Sequence, residues 1–192
     1  DQVVARVVEL HQGQQRATGE EYVWHLLRTA VTLSGFGRIV DWSAIEAAIL
    51  HDTLEDTPLT KSKLREEFPE SAGIVEALTK IRDSKSQTYE RLFRHALTDI
   101  RVLLIKICDR LHNLETLGGI KSERKRRRIA LESRDVYGGI CRKLCMMDLA
   151  DQIDRFTAPA LYSEAELKGF AELRAQAEAK WKKFLDRFEE SL

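Results

Sequence analysis

The stretch Ala47–Pro58, AAILHDTLEDTP, decides how this chain is read. Ile45, Ala48 and Ile49 form a helical stripe that drives into a core, and at its edge stand His51, Asp52, Glu55 and Asp56. His51 and Glu55 are four residues apart, as are Asp52 and Asp56, so all four project from one helix end. Carboxylates this close repel one another and are costly to desolvate. A bound divalent ion, with the water it activates, offsets that cost. Ser43 followed three residues later by Glu46 reads as a capping box that starts this helix, and Pro58 marks its end.

A second segment, DIRVLLIKICDRLHNLETL, is apolar on most sides from Ile100 to Cys108, the pattern of a buried helix. Asp109 follows Ile105 by four residues, and His112, Asn113 and Thr116 share its face. A third segment, YVWHLLRTA, places His25 on an amphipathic helix. Taken singly, His25 reads as a core histidine and Asp109 as half of an ion pair with Arg110. Taken together, His25, His51, Asp52 and Asp109 form a mixed nitrogen–oxygen set suited to one Mn2+ or another first-row divalent ion. Glu55 and Asp56, one turn away, are placed to orient or deprotonate a water acidified by that ion.

The 192 residues carry 31 Lys plus Arg against 31 Asp plus Glu, so no global field selects nucleic acid or membrane. One well-buried domain fits this length. Cys108, Cys141 and Cys145 contain no CxxC, and Cys141 and Cys145 are spaced for one helix face; apolar packing in a reducing, cytoplasmic compartment is expected. No apolar run approaches the roughly 18 residues that span a bilayer.

Helical periodicity covers the rest, and no alternating strand pattern is found. Helices are expected over about Gln2–Gln14, Tyr22–Ser34, Thr60–Phe68, Ala72–Ile81 and Tyr89–Leu97, with Arg82–Gln87 as a loop. The basic segment from Lys121 continues as helix, loosened at Gly138-Gly139, and a last helix follows Pro159 from about Glu164 to Phe188. Residues 1–158 are taken as the core and 159–192 as a charged helix packed on it or forming a homo-oligomer contact. Lys121 and Arg124 to Arg128 read as a solvated helix face rather than a nucleic-acid site, because no aromatic residues interleave.

These motifs, from HQGQQRATGEEYVWH through AAILHDTLEDT and DIRVLLIKICDRLHNLETL to RKRRRIALESRDVY, resemble the HD-domain phosphohydrolases, in particular the hydrolase domain of RelA/SpoT-type alarmone enzymes. The resemblance implies an all-α, compact HD-domain bundle of roughly eight to ten helices. It implies one Mn2+ on His25, His51, Asp52 and Asp109, water activation by Glu55 and Asp56, and hydrolysis of the 3′-pyrophosphate of guanosine tetra- or pentaphosphate. It further places Arg16 against the guanine, Thr18 in that pocket, and Asn113 and Thr116 at the ribose or phosphate end. Ala17 and Glu115 stand where the family commonly has cations. That departure leaves open another 2′- or 3′-phosphorylated nucleotide, such as NADPH or a modified RNA 3′ end. A non-catalytic nucleotide-binding module is the reading from a different class.

Overall fold

Helix follows helix along the chain, in a computed structural model that describes residues 2–36, 41–81 and 84–189. The order is α1 (Gln2–Leu10), α2 (Tyr22–Phe36), α3 (Trp42–Leu50), α4 (Thr53–Asp56), α5 (Lys61–Glu67) and α6 (Ala72–Leu78). Then come α7 (Lys85–Ala96), α8 (Ile100–Glu115), a 3-10 turn (Leu117–Gly119), α9 (Glu123–Glu132), a π-helical segment (Ser133–Gly138), α10 (Gly139–Lys143), α11 (Met147–Leu161) and α12 (Glu164–Glu189). The fold is all-α; among the described residues the only β pairing is a lone bridge between Gln15 and Glu21. None of the described helices is long and apolar enough to cross a membrane.

The axis of the molecule is α8. Val102, Leu104, Ile105 and Cys108 face a core built with α1 to α6, while Leu103, Ile107, Leu111 and Leu114 face a second core built with α9 to α11. Ile105 and Ile107 are both fully enclosed, one on each side. Burying one such side chain contributes roughly 1.5–3 kcal/mol, so α8 is fixed from two directions.

The starts of α3 and α8 are tied to each other. Asp41, rather than Ser43, caps α3: its carboxylate accepts from the Ser43 amide at 3.3 Å. Glu46 does not complete a capping box but accepts a 2.6 Å bond from the Ser71 hydroxyl across the core. Asp99 caps α8 by accepting from the Arg101 amide at 3.0 Å, and the Arg101 guanidinium bridges Asp99 and Asp41. One arginine therefore ties the start of α8, which carries Asp109, to the start of α3, the helix that leads into His51-Asp52.

Other boundaries differ from the sequence reading for local reasons. α1 ends at Leu10 because Gly13, at φ +77°, and the Thr18-Gly19 turn reverse the chain. Val8 is half exposed, whereas Val3 and His11 are buried. α2 runs through Phe36, two residues past the expected end at Ser34, and Gly37 lies outside the described residues. The helix carrying AAIL stops at Leu50, and α4 restarts at Thr53, so His51-Asp52 occupies the break itself. α7 starts at Lys85 because the Ser84 hydroxyl accepts from the Gln87 amide; Arg82 and Asp83 of the expected loop lie outside the described residues.

Pro159 sits within the last turn of α11 rather than ahead of α12. The loosening near Gly138-Gly139 is a π-helical stretch that precedes α10. Cys141 packs in the second core, but Cys145 lies beyond α10, exposed and at φ 57°, so the two do not share a helix face.

Replacing Ile107 by alanine should lower unfolding free energy by about 2–5 kcal/mol, while Val31→Ala, on the exposed side of α2, should change it by less than about 0.5 kcal/mol. Chemical denaturation followed by circular dichroism measures both.

Candidate active site

α2 packs against α3 and α8, and at their junction four side chains from three stretches meet. His51 Nε2 lies 3.2 Å from Asp52 Oδ2 and 3.6 Å from Asp109 Oδ1. His25 Nε2 lies 3.3 Å from Asp109 Oδ1 and 3.6 Å from Asp52 Oδ2. All four residues are buried, none more than 6% exposed. Donors bonded at roughly 2.1 Å to one ion stand about 3.0–3.4 Å apart in octahedral or tetrahedral sets. His25, His51 and Asp52 present ligand atoms that all lie within 4.8 Å of one another, and Asp109 Oδ1 flanks both imidazoles.

The imidazoles are oriented for the same purpose. His51 Nδ1 lies 2.8 Å from the Ala48 carbonyl, which can only accept, so Nδ1 carries the hydrogen. Nε2 is buried without a hydrogen-bond partner and faces the two carboxylates. His25 Nδ1 lies 2.6 Å from His112 Nδ1. Burial, then His25 and Arg16, push the pKa of His112 down to about 3, so His112 is neutral and can accept from His25 Nδ1–H. His25 Nε2 is then left as a lone pair. The Ala48 carbonyl thus fixes the hydrogen on Nδ1 of His51, and one ring hydrogen is shared between the Nδ1 atoms of His25 and His112.

The carboxylates are held ionised in spite of burial. Desolvation raises the pKa of Asp109, but Lys106, whose Nζ donates to Oδ2 at 2.6 Å, and the two histidines bring it well below the ordinary carboxylate range. Asp52 is lowered likewise against its desolvation, chiefly by His51. Burial would depress His51, yet Asp52 and Asp109 lift it to about 10, so a proton on Nε2 takes the place of a cation. His25, His51 and Asp52 can hold one divalent metal ion, with Asp109 against both imidazoles.

Around this set the structure adds groups that the sequence reading had not singled out. The Tyr22 hydroxyl lies 2.7 Å from Asp52 Oδ2 and 2.9 Å from Asp56 Oδ2, one hydrogen serving two acids. Glu55 accepts from the Lys80 amide at 2.6 Å and the Lys80 ammonium at 2.7 Å. Lys106 had a readable signal, since it is the one cation between Val102 and Cys108. Tyr22 and Lys80 had none, because their partners are distant in sequence.

Arg16, Ala17, Thr18, Asn113, Thr116, Arg110 and Lys125 line a cleft of about 260 Å3. Arg16 donates to Asn113 Oδ1 at 2.6 Å, and Asn113 Nδ2 donates to Asp109 Oδ1 at 2.6 Å, linking the cleft to the carboxylates. Gly119 permits this closeness, because a Cβ there would stand 2.9 Å from Thr18 Cγ2. Two of the basic residues of α9 serve the fold: Arg126 donates to the Ile120 carbonyl and Arg127 to that of Leu161.

Residues 4–147 match the model of the HD domain. The chain belongs to the HD domain family. This HD domain is 33% identical over 169 residues to the bifunctional (p)ppGpp synthase/hydrolase SpoT of Escherichia coli, a match covering 83% of this chain and 23% of that protein. It is 36% identical over 162 residues to a guanosine-3′,5′-bis(diphosphate) 3′-pyrophosphohydrolase of Aquifex aeolicus, covering 81% and 23%. It is 37% identical over 156 residues to the GTP pyrophosphokinase rsh of Brucella melitensis, covering 77% and 20%. The HD domain thus spans about a fifth to a quarter of these relatives' length. A solved structure described as a metazoan ortholog of SpoT that hydrolyses ppGpp shares the fold, with a TM-score of 0.57, 22% identity, and coverage of 90% of this chain and 93% of that one.

In the metal-free chain the raised His51 binds a proton in the folded state that the unfolded state releases above pH 6.5. Its stabilising contribution is full below 6.5 and lost as pH rises through about 10. Thermal melts of chelator-treated protein should therefore decline across that window, and His51→Ala should flatten the decline.

Proposed function

We propose that this HD domain is a Mn2+-dependent 3′-pyrophosphohydrolase of guanosine tetra- and pentaphosphate, yielding GDP or GTP and pyrophosphate. The observation that carries this reading is the convergence of His25, His51, Asp52 and Asp109 beside a cleft lined by Arg16, Asn113 and Thr116. A bound divalent ion supplies a Lewis acid that polarises phosphoryl oxygens and brings a water within reach of deprotonation near neutral pH.

The chain's own residues do the rest. Arg16 presents a planar guanidinium suited to stack on guanine, with Thr18 beside it. Asn113 and Thr116 offer a neutral amide and a hydroxyl to the ribose end. Glu55, fixed at both oxygens by Lys80, and Asp56, linked to Asp52 through Tyr22, orient the water and accept its proton. The water oxygen bonds the phosphorus next to the ribose, and the bond from that phosphorus to O3′ breaks. O3′ keeps the electron pair and takes up a proton, and pyrophosphate leaves with the water's oxygen.

Ala17 in the cleft wall favours a second reading, hydrolysis of another 2′- or 3′-phosphorylated nucleotide. Lys125 lines the same cleft and offers a replacement cation, which supports the guanosine polyphosphate. The same reading takes residues 1–158 as the hydrolase core, working in the cytoplasm. It takes residues 159–192 as a C-terminal segment packed on the core or in an oligomer contact; α11 runs on to the buried Leu161, and α12 has no buried residue among those described.

With Mn2+ the protein should release pyrophosphate from guanosine tetraphosphate faster than phosphate from NADPH. His51→Ala and Asp109→Ala should lose both the bound metal and turnover, and full activity in either would end this assignment. Glu55→Gln should retain metal while kcat falls by about 10²–10⁴. Metal analysis and a pyrophosphate-release assay check these outcomes.

A further inference from the structure

α12 leaves the core with no buried residue along its described length. Its root, by contrast, is fixed. The Ser163 amide donates to the Glu166 carboxylate at 2.8 Å and the Ser163 hydroxyl accepts from the Glu166 amide at 3.4 Å, a capping box that sets the direction of the helix. The Tyr162 and Phe170 rings meet edge to face at 5.3 Å, which holds the first turns near α11. From this root the 26 residues of α12 extend over about 39 Å.

The sequence of α12 is symmetric about Ala177. Leu173 and Trp181 lie four residues to either side of it, Phe170 and Phe184 seven, and steps of four and seven stay on one helical face. Phe170, Leu173, Trp181 and Phe184 are each more than half exposed. Soluble monomers rarely expose contiguous apolar patches above a few hundred Å2, and larger ones mark interaction surfaces. A stripe that reads alike in both directions is complementary to itself when a second helix lies across it antiparallel. Phe170 then meets Phe184, Leu173 meets Trp181, and the two small Ala177 side chains meet at the two-fold axis.

Charge selects the same direction. From Glu164 to Glu178 four acids stand against Lys168 and Arg174. From Lys180 to Glu189, Lys180, Lys182, Lys183 and Arg187 stand against Asp186 and Glu189. A parallel pair would set like halves side by side, whereas an antiparallel pair sets the acidic half of each helix against the basic half of the other. The core adds a seat for that basic half. A groove of about 830 Å3 opens between α11 and the root of α12, lined by Asp148, Asp151 and Asp154 together with Leu167 and Phe170. Of the two arginines on its wall, Arg174 is engaged by Glu178 at 2.8 Å. With Phe184 of a second copy level with Phe170, the segment of that copy beside the groove runs from Lys180 to Arg187.

We propose that two copies of this chain associate through α12 as an antiparallel, two-fold pair, each laying its basic and aromatic half into the groove between α11 and α12 of the other. The contact is isologous, so it closes at two copies. It is independent of the hydrolase reading, and it names a second copy, rather than the chain's own core, as what covers α12.

Sedimentation equilibrium of the full chain tests the pairing. Wild type should be a dimer with a dissociation constant of roughly micromolar or tighter, about fivefold weaker in high salt than in low. Ala177→Glu keeps a good helix former at an exposed position but sets two carboxylates at the two-fold axis, and should weaken association at least a hundredfold. Ala177→Ser, small and neutral, should stay within fivefold of wild type. Lys182→Glu combined with Lys183→Glu makes both halves of the helix acidic and should weaken association at least tenfold. In a parallel pair, where like halves already repel, the same double change would leave association as it was.

Equal association in wild type and Ala177→Glu would overturn the proposal, and equal association in wild type and the double variant would overturn its antiparallel direction. A monomeric wild type would overturn it outright. Binding of that monomer to vesicles of phosphatidylglycerol and phosphatidylcholine would then assign the stripe to a lipid surface, and absence of binding would assign it to the chain's own core. Failure to release pyrophosphate from guanosine tetraphosphate would overturn the hydrolase reading alone, since sedimentation does not depend on turnover.

Discussion

Two carboxylates, Asp52 and Asp109, lie almost out of contact with water, and the rest of the molecule is arranged so that they can remain charged there. Burial of an unpaired carboxylate is among the most unfavourable things a fold can impose. Here the acids are answered by His25 from α2, by His51 at the end of α3, and by Lys106 one turn before Asp109 on α8. These answers require α2, α3 and α8 to hold one mutual register. The apolar packing on both sides of α8 and the Arg101 bridge between helix starts supply it.

Each surrounding contact then adjusts one property of the cluster. The Ala48 carbonyl and His112 decide which ring nitrogen of His51 and His25 carries a hydrogen. Tyr22 spans the gap between an acid of the metal set and one outside it, and Asn113 spans the gap between that set and the cleft. Residues 4–147, which match the HD domain, contain all of these contacts.

The helical class and the four converging residues were legible because they rest on local pattern. A buried stripe interrupted by His51-Asp52, and a carboxylate in the almost wholly apolar face of α8, both contradict what a core needs unless something binds there. Boundaries were less legible where side chains chose tertiary partners. Glu46 suited a capping box by spacing but bonds Ser71 instead, and Asp41 caps in place of Ser43. Lys80 and Tyr22 could not be read at all, since nothing local distinguishes them from solvated residues. The π-helical segment was foreshadowed only by Gly138-Gly139, and within it Tyr137 is buried in the second core.

Because one rod supplies residues to both the cleft and the cluster, the two are tied by an amide: Asn113 accepts from Arg16 and donates to Asp109. A rotation of that amide is felt at the guanidinium and at the carboxylate alike, while the rod beneath it stays clamped between two hydrophobic halves.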